Sequence, residues 1–204
     1  LLLLLGLFLL LIVGVARAQD ALTLPSFSSD PLKIAERQTA LRQTLAEQRA
    51  TIEQLQQDLT RVNAEQPGQL YALQGEMVAA TTVERARLDH DALQLKQAHV
   101  QDDIDSAQRQ IKALEPAIAT LAAQEQLLKN PAKDAPPEPG RTEQRAQISR
   151  LLEQRRTDLE LEQENLRNLK EWRALLEQRR TLAAQWRDRL EEIYLRQQAQ
   201  ERQE

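Results

Sequence analysis

Cysteine is absent from the 204 residues, glycine occurs five times and proline eight, and aromatic side chains make up 3% of the chain. Without a thiol there is neither a disulfide framework nor a cysteine nucleophile. Five glycines are too few and too scattered to build a phosphate-cradling loop. Two Trp, two Tyr and two Phe cannot anchor a sizeable globular core, because aromatics normally supply much of its buried area. A β-sandwich, a barrel and a Rossmann sheet are therefore disfavoured. What the chain has in abundance is Leu, Ala, Gln, Glu and Arg, the composition of long helices and coiled coils. The formal net charge of −4 argues against nucleic acid as a partner, since neutralising phosphates needs a basic face.

Leu1 to Val15 is apolar except for Gly6 and Gly14, and Ala16-Arg17-Ala18 follows. An apolar run of this length before Ala-x-Ala predicts a secretory signal peptide over residues 1–18, truncated at its start and cleaved after Ala18. A retained membrane anchor is the alternative and requires ~20 apolar residues. Cleavage would remove Arg17 and shift the net charge from −4 to −5. An exported acidic chain without cysteine fits the periplasm. At the other end, residues 196–204 continue a charged helical pattern with neither Gly nor Pro, which predicts a helix running on past the fragment.

Residues 19–30 read as an extended leader. Asp30 followed by Pro31 predicts an N-cap with proline in the first helical turn, where its missing N–H costs nothing. Ile34, Leu41, Leu45, Ile52, Leu55, Leu59 and Val62 then form a seam in steps of three and four, and Gln38 and Gln48 fill its two vacant positions. Gln66-Pro67-Gly68 predicts the turn that ends this helix, so residues 31–128 hold helices one and two with a turn at 66–68. The second seam runs Ala79, Val83, Ala86, His90, Leu93, Gln97, Val100, Ile104, Ala107, Ile111, Leu114, Ile118, Leu121, Glu125 and Leu128. Leu70, Leu73 and Met77 belong to a shifted register, which predicts a stutter near residues 75–80. Pro116 interrupts the pattern without changing its phase, so a kink is expected there rather than a break. Glu125 is the one carboxylate in this seam, expected to stay wet through fraying of the last turns.

Residues 129–141 are a proline-rich loop. Residues 142–204 form the third helix, with a seam of Ile148, Leu152, Leu159, Leu166, Leu169, Leu176, Ala183, Leu190 and Tyr194 and a neighbouring stripe of Trp172, Trp186 and Ile193. Two overlapping stripes predict a face wide enough to touch more than one neighbour. Helices two and three, about 60 residues each, would be ~90 Å long and should fold back on each other. The expected architecture is all-α: a long antiparallel coiled-coil hairpin of helices two and three with the shorter first helix beside it as its third member, an elongated helical bundle.

Little in the sequence carries chemistry. His90 lies between Asp89 and Asp91, and His99 stands four residues before Asp103 on the same helical face, with Asp102 close by. A metal would need further converging ligands, so His90 is read as a polar seam residue and His99 as solvent-facing. No Ser-His-acid combination is recognisable. The pairs Asp102-Asp103 and Glu191-Glu192 point apart on a helix and are solvated faces. Neither catalytic, cofactor-binding nor metal-ligating residues are expected, and no cofactor, nucleic acid or small-molecule substrate. Arg173, Arg180 and Arg187 recur every seven residues, as do Trp172, Arg179, Trp186 and Ile193. They read as a seam of tryptophans covered by arginine stems, or as a docking stripe for a partner helix, anionic lipid or cell-wall polymer.

The order of a signal peptide, long Gln/Leu/Glu/Arg-rich helices, a proline-interrupted loop and a final Leu-rich helix (LLEQRRTDLELEQENLRNLKEWRALLEQRRTLAAQWRDRLEEIY) resembles the N-terminal periplasmic region of large mechanosensitive channels of the MscS superfamily related to MscK. The resemblance covers residues 19–204 and rests on texture, without an invariant motif. It implies a non-enzymatic scaffold or modulator of gating in osmotic protection, the periplasmic part of a homo-oligomeric bacterial inner-membrane ion channel, with the membrane reached through downstream segments. The alternative is a soluble secreted periplasmic coiled-coil adaptor. It could be a murein hydrolase activator of the EnvC type or an efflux-pump adaptor.

Overall fold

The computed structural model describes residues 30–73, 77–130 and 140–203. Three helices make up the chain there: α1, Pro31–Ala72; α2, Ala80–Lys129; and α3, Arg141–Glu201. At 1.5 Å per residue they are about 63, 75 and 92 Å long. The described residues form an all-α bundle. Residues 1–29, 74–76 and 131–139, which include the expected signal peptide and most of the leader and the proline-rich loop, lie outside the described residues.

The start of α1 follows the expected chemistry. Asp30 Oδ1 accepts the Leu32 N–H at 3.0 Å, and Pro31 occupies the first turn. Its end does not. The turn expected at residues 66–68 is absent, and α1 runs through Pro67 and Gly68 to Ala72. Proline inside a helix costs ~3 kcal/mol, a penalty that tertiary contacts on both sides outweigh. Leu59 is buried, Gln66 Nε2 donates to Leu182 O across the interface, and Leu73 packs against a core cluster. The second helix accordingly begins at Ala80 rather than near Gln69, with Ala79 as its N-cap. The stutter expected near residues 75–80 lies partly outside the described residues, and its remainder is the extended stretch 77–79 that leads into α2 at Ala80. Leu73 packs against the core, and Met77 is exposed.

Pro116 leaves α2 continuous and exposes its ring, so the helix does not break there. Glu125 is not kept wet by fraying. Its side chain is 13% exposed and lies 3.1 Å from Lys129 Nζ, which holds its carboxyl below the usual range.

Pairings along the rod set the direction of each helix. Arg87 meets Glu191 and Gln97 meets Glu177, so α2 and α3 are antiparallel. Gln38 meets Asp158, Gln48 meets Asn165, and Gln66 meets Leu182, so α1 and α3 are parallel. Among the described residues, no Cα of α1 comes within 8 Å of one in α2. Both helices pack on α3, whose double stripe serves two neighbours.

Burial follows the heptads. Val78, Val83, Ala86, Leu190 and Ile193 form one core cluster, with Trp186 and Tyr194 against it. Val100, Ile104, Ala107, Leu169 and Leu176 form another, closed by Leu55, Leu93, Leu166 and Trp172. Among the described residues, every expected seam residue of α1 and α2 is buried or half-buried except Ala79, which caps the helix instead. The last turns of α2 and the first turns of α3 extend past the start of α1 as a two-helix tip, where Arg141 Nη2 donates to Leu127 O at 3.2 Å.

Candidate functional site

Two features of α3 stand apart from a plain heptad seam: a buried charged layer and an open groove. The layer occupies the seam positions between Leu152 and Leu169. Arg155, Asp158 and Glu162 are 4%, 3% and 3% exposed. Arg155 Nη1 donates to Asp158 Oδ2 at 3.1 Å, and Gln38 Nε2 reaches across from α1 to Asp158 Oδ1 at 2.8 Å. Arg37 Nη2 donates to Glu162 Oε1 at 2.9 Å and also bonds Gln110 Oε1 of α2. Asn165 Nδ2 supplies Glu162 Oε2 at 3.3 Å, and Gln48 Nε2 bonds Asn165 Oδ1 at 2.8 Å.

All four oxygens of Asp158 and Glu162 thus accept a hydrogen bond. Buried charges are tolerated when each is paired and its lone pairs are satisfied. Each carboxylate oxygen has a donor within the protein to replace water. The layer therefore joins all three helices at one axial register, as polar seam residues do in coiled coils. The expectation that Gln38 and Gln48 are seam residues holds, and here they meet polar partners. Arg155, Asp158 and Glu162 were not anticipated. Their signal was present all the same: Leu152, Leu159 and Leu166 leave positions 155 and 162 vacant, and a vacancy filled by Arg and Glu on a long helix marks a polar layer.

The groove lies where α1 and α2 stand apart over α3. Its wider stretch, about 660 Å³, has Leu55, Leu93, Val100, Trp172 and Leu176 as apolar lining and Asp58, Asp89, Lys96, His99 and Asp103 among its polar lining. A narrower stretch of about 200 Å³ adds Ala183 and Trp186 and shares Asp89 and Arg179 with the first. Both tryptophans of the chain line this groove. The Trp172–Arg179–Trp186 stripe is thus partly core and partly surface: each ring packs against a core cluster and also faces the groove. Arg179 Nε donates to Asp58 Oδ2 at 3.0 Å and Arg61 approaches the same carboxylate at 2.6 Å, so Asp58 engages both guanidiniums.

The other candidate residues are placed as follows. His90 is half-buried, with Nδ1 3.2 Å from Asp91 Oδ1 and 3.4 Å from Arg187 Nη1. His99 and Asp103 share a face at the groove edge, while Asp102 is exposed elsewhere. Among the described residues, no three His, Cys, Asp or Glu side chains converge to hold a metal ion. Glu191 binds Arg87, whereas Glu192 binds Arg189 and Arg196, so this adjacent pair serves two directions. Arg173 is exposed, Arg180 bonds Glu177 at 2.7 Å, and Arg187 bonds Asp188 at 2.7 Å. The Gln97 side-chain amide, aided by Arg180, holds the Glu177 carboxyl below the ordinary range. Glu191 raises the Arg87 guanidinium above its own ordinary value, first through its hydrogen bond and then through its charge. No helix among the described residues is long and apolar enough to cross a membrane. Compared with protein-family models, curated proteins and solved structures, the chain matches none.

Proposed function

We propose that this chain is a non-catalytic helical spacer that works by binding, the periplasmic region of a mechanosensitive channel of the MscS/MscK-like kind that supports or modulates gating in osmotic protection. The observation that carries the binding-and-spacing part is the division of labour on α3. Its buried charges are spent on fixing helix register, while a wide, partly apolar groove opens outward between α1 and α2. A rod about 90 Å long, held in register by a polar layer, transmits position between its ends without needing chemistry of its own. The channel part rests on the resemblance in helix order and texture, and it places the chain at a bacterial inner membrane, self-associated through helical faces.

Sequencing the gene onward from the codon for Glu204 tests the channel part. Several hydrophobic spans of ~20 residues followed by a small-residue-rich pore helix are expected. A stop codon or a soluble β-rich domain would overturn it and leave the second reading, a secreted periplasmic adaptor such as a murein hydrolase activator or an efflux-pump adaptor. The open groove favours that second reading, because an adaptor requires a surface for a partner.

A further inference from the structure

The groove edge contributed by α2 carries Asp89, Lys96 and Asp103, an acid–base–acid series at seven-residue steps. Asp89 and Asp103 are exposed, and neither has an ion-pair or hydrogen-bond partner among the described residues. The same holds for Lys96. Beside these charges, Leu93 and Val100 of α2 form the apolar floor together with Leu55 of α1 and Trp172 and Leu176 of α3. Leu93 and Val100 repeat at the same seven-residue step as the charges, the spacing with which one helix meets another. Seven-residue charge steps beside such a stripe are the flanking pattern that selects partners in helix pairing.

We propose that this groove docks an amphipathic helix of another protein chain. Its apolar face would lie on Trp172, Leu55 and the Leu93–Val100 stripe, and its flank would present a base, an acid and a base at seven-residue steps against Asp89, Lys96 and Asp103. A second copy of this chain fits poorly. Nowhere in the sequence do Lys or Arg, then Asp or Glu, then Lys or Arg follow one another at seven-residue steps. A two-fold pairing centred on Lys96 would also set Asp89 against the partner copy's Asp103. The proposal rests on the binding-and-spacing part of the proposed function and not on its channel part. Failure of the peptide test below would leave the channel reading standing, and a stop codon after Glu204 would leave the groove standing.

Trp172 and Trp186 are the only tryptophans and both line the groove, so intrinsic emission of the full chain reports occupancy. The probes are two synthetic 24-residue helical peptides with the same Leu/Ala stripe, one with Lys-Glu-Lys flanks at seven-residue spacing and one with Glu-Lys-Glu. The Lys-Glu-Lys peptide should give a saturable blue shift with a Kd at least tenfold lower than its counterpart. In the variant carrying Asp89→Lys, Lys96→Glu and Asp103→Lys, the preference should reverse. Lys96→Glu alone, a single exposed change, should at least halve the ratio if the triple variant folds poorly. Equal affinities, or no saturation with either peptide, would overturn the proposal. So would emission that shifts with protein concentration in the absence of peptide, which would assign the groove to a second copy. A shift with phosphatidylglycerol vesicles but with neither peptide would assign it to a membrane surface and overturn the proposal equally.

Discussion

Arg37 on α1 and Glu162 on α3, separated by 125 positions in sequence, meet at 2.9 Å, and the two sides of the contact are unequal. The Glu162 side chain is 4% exposed and that of Arg37 35%. Removing a partner from a buried charge costs more than removing one from a charge that can turn to water. Arg37→Ala, which strands a buried carboxylate, is therefore expected to destabilise by roughly 2–4 kcal/mol, and Glu162→Leu by roughly 1–2 kcal/mol, since Arg37 can rehydrate. The double change Arg37→Met with Glu162→Leu should recover most of the loss. Urea unfolding followed by helical circular dichroism measures all three, and an Arg37→Ala cost no larger than that of Glu162→Leu would refute the asymmetry.

The apolar core makes a simpler prediction. Leu114 and Leu190 are fully buried, whereas Leu88 and Leu95 are mostly exposed. Leu114→Ala and Leu190→Ala should each cost about 2–5 kcal/mol through lost burial and the cavity left behind. Leu88→Ala and Leu95→Ala should stay within about 0.5 kcal/mol. Thermal melts of the four variants separate the classes, and a large loss at Leu88 or Leu95 would mean those side chains are already covered in solution.

Acid stability follows from Glu177. Its carboxyl is held below its ordinary value of 4.5, first by the Gln97 hydrogen bond and then by Arg180. A depressed folded value means that the folded state gives up its proton more readily than the unfolded chain. The stabilisation is complete above the ordinary value and is lost as the pH falls from there through the depressed one. Glu177→Gln should flatten the dependence of the urea midpoint on pH below about 4.5, with little change in slope at pH 7. An unchanged slope in the acid range would show that the Gln97 contact does not persist in solution.

Helix type, the seams of α1 and α2 and the wide face of α3 were legible because heptad spacing depends only on which residues are apolar. Two things were not. The end of α1 was misplaced because Pro67-Gly68 is a strong local signal, while the contacts that override it, Gln66 with Leu182 and Leu73 with the Val83–Leu190 cluster, are set by residues more than a hundred positions away or on another helix. The charged layer was missed because Arg155 and Glu162 look like solvated helix-face residues until α1 delivers Arg37 and Gln38 to them. The groove was half legible. The Trp172–Trp186 stripe was recognised in sequence, but its opening to solvent depends on how far apart α1 and α2 stand on α3, which no local pattern encodes.

The path of the chain through residues 66–68 can be tested at a single atom. Gly68 lies inside α1 without a left-handed backbone, and a Cβ added there would meet nothing within 4 Å. Alanine in a helix interior is favoured over glycine by ~0.5–1 kcal/mol, so Gly68→Ala should stabilise the protein by about that amount. Gly140 is the contrasting site. It begins α3 at a φ of +89°, a conformation in which a Cβ crowds its own backbone, so Gly140→Ala should destabilise by ~1 kcal/mol even though the surrounding space is open. Chemical unfolding of the two variants gives opposite signs if α1 is continuous to Ala72. Loss of stability in Gly68→Ala would instead return the turn to residues 66–68.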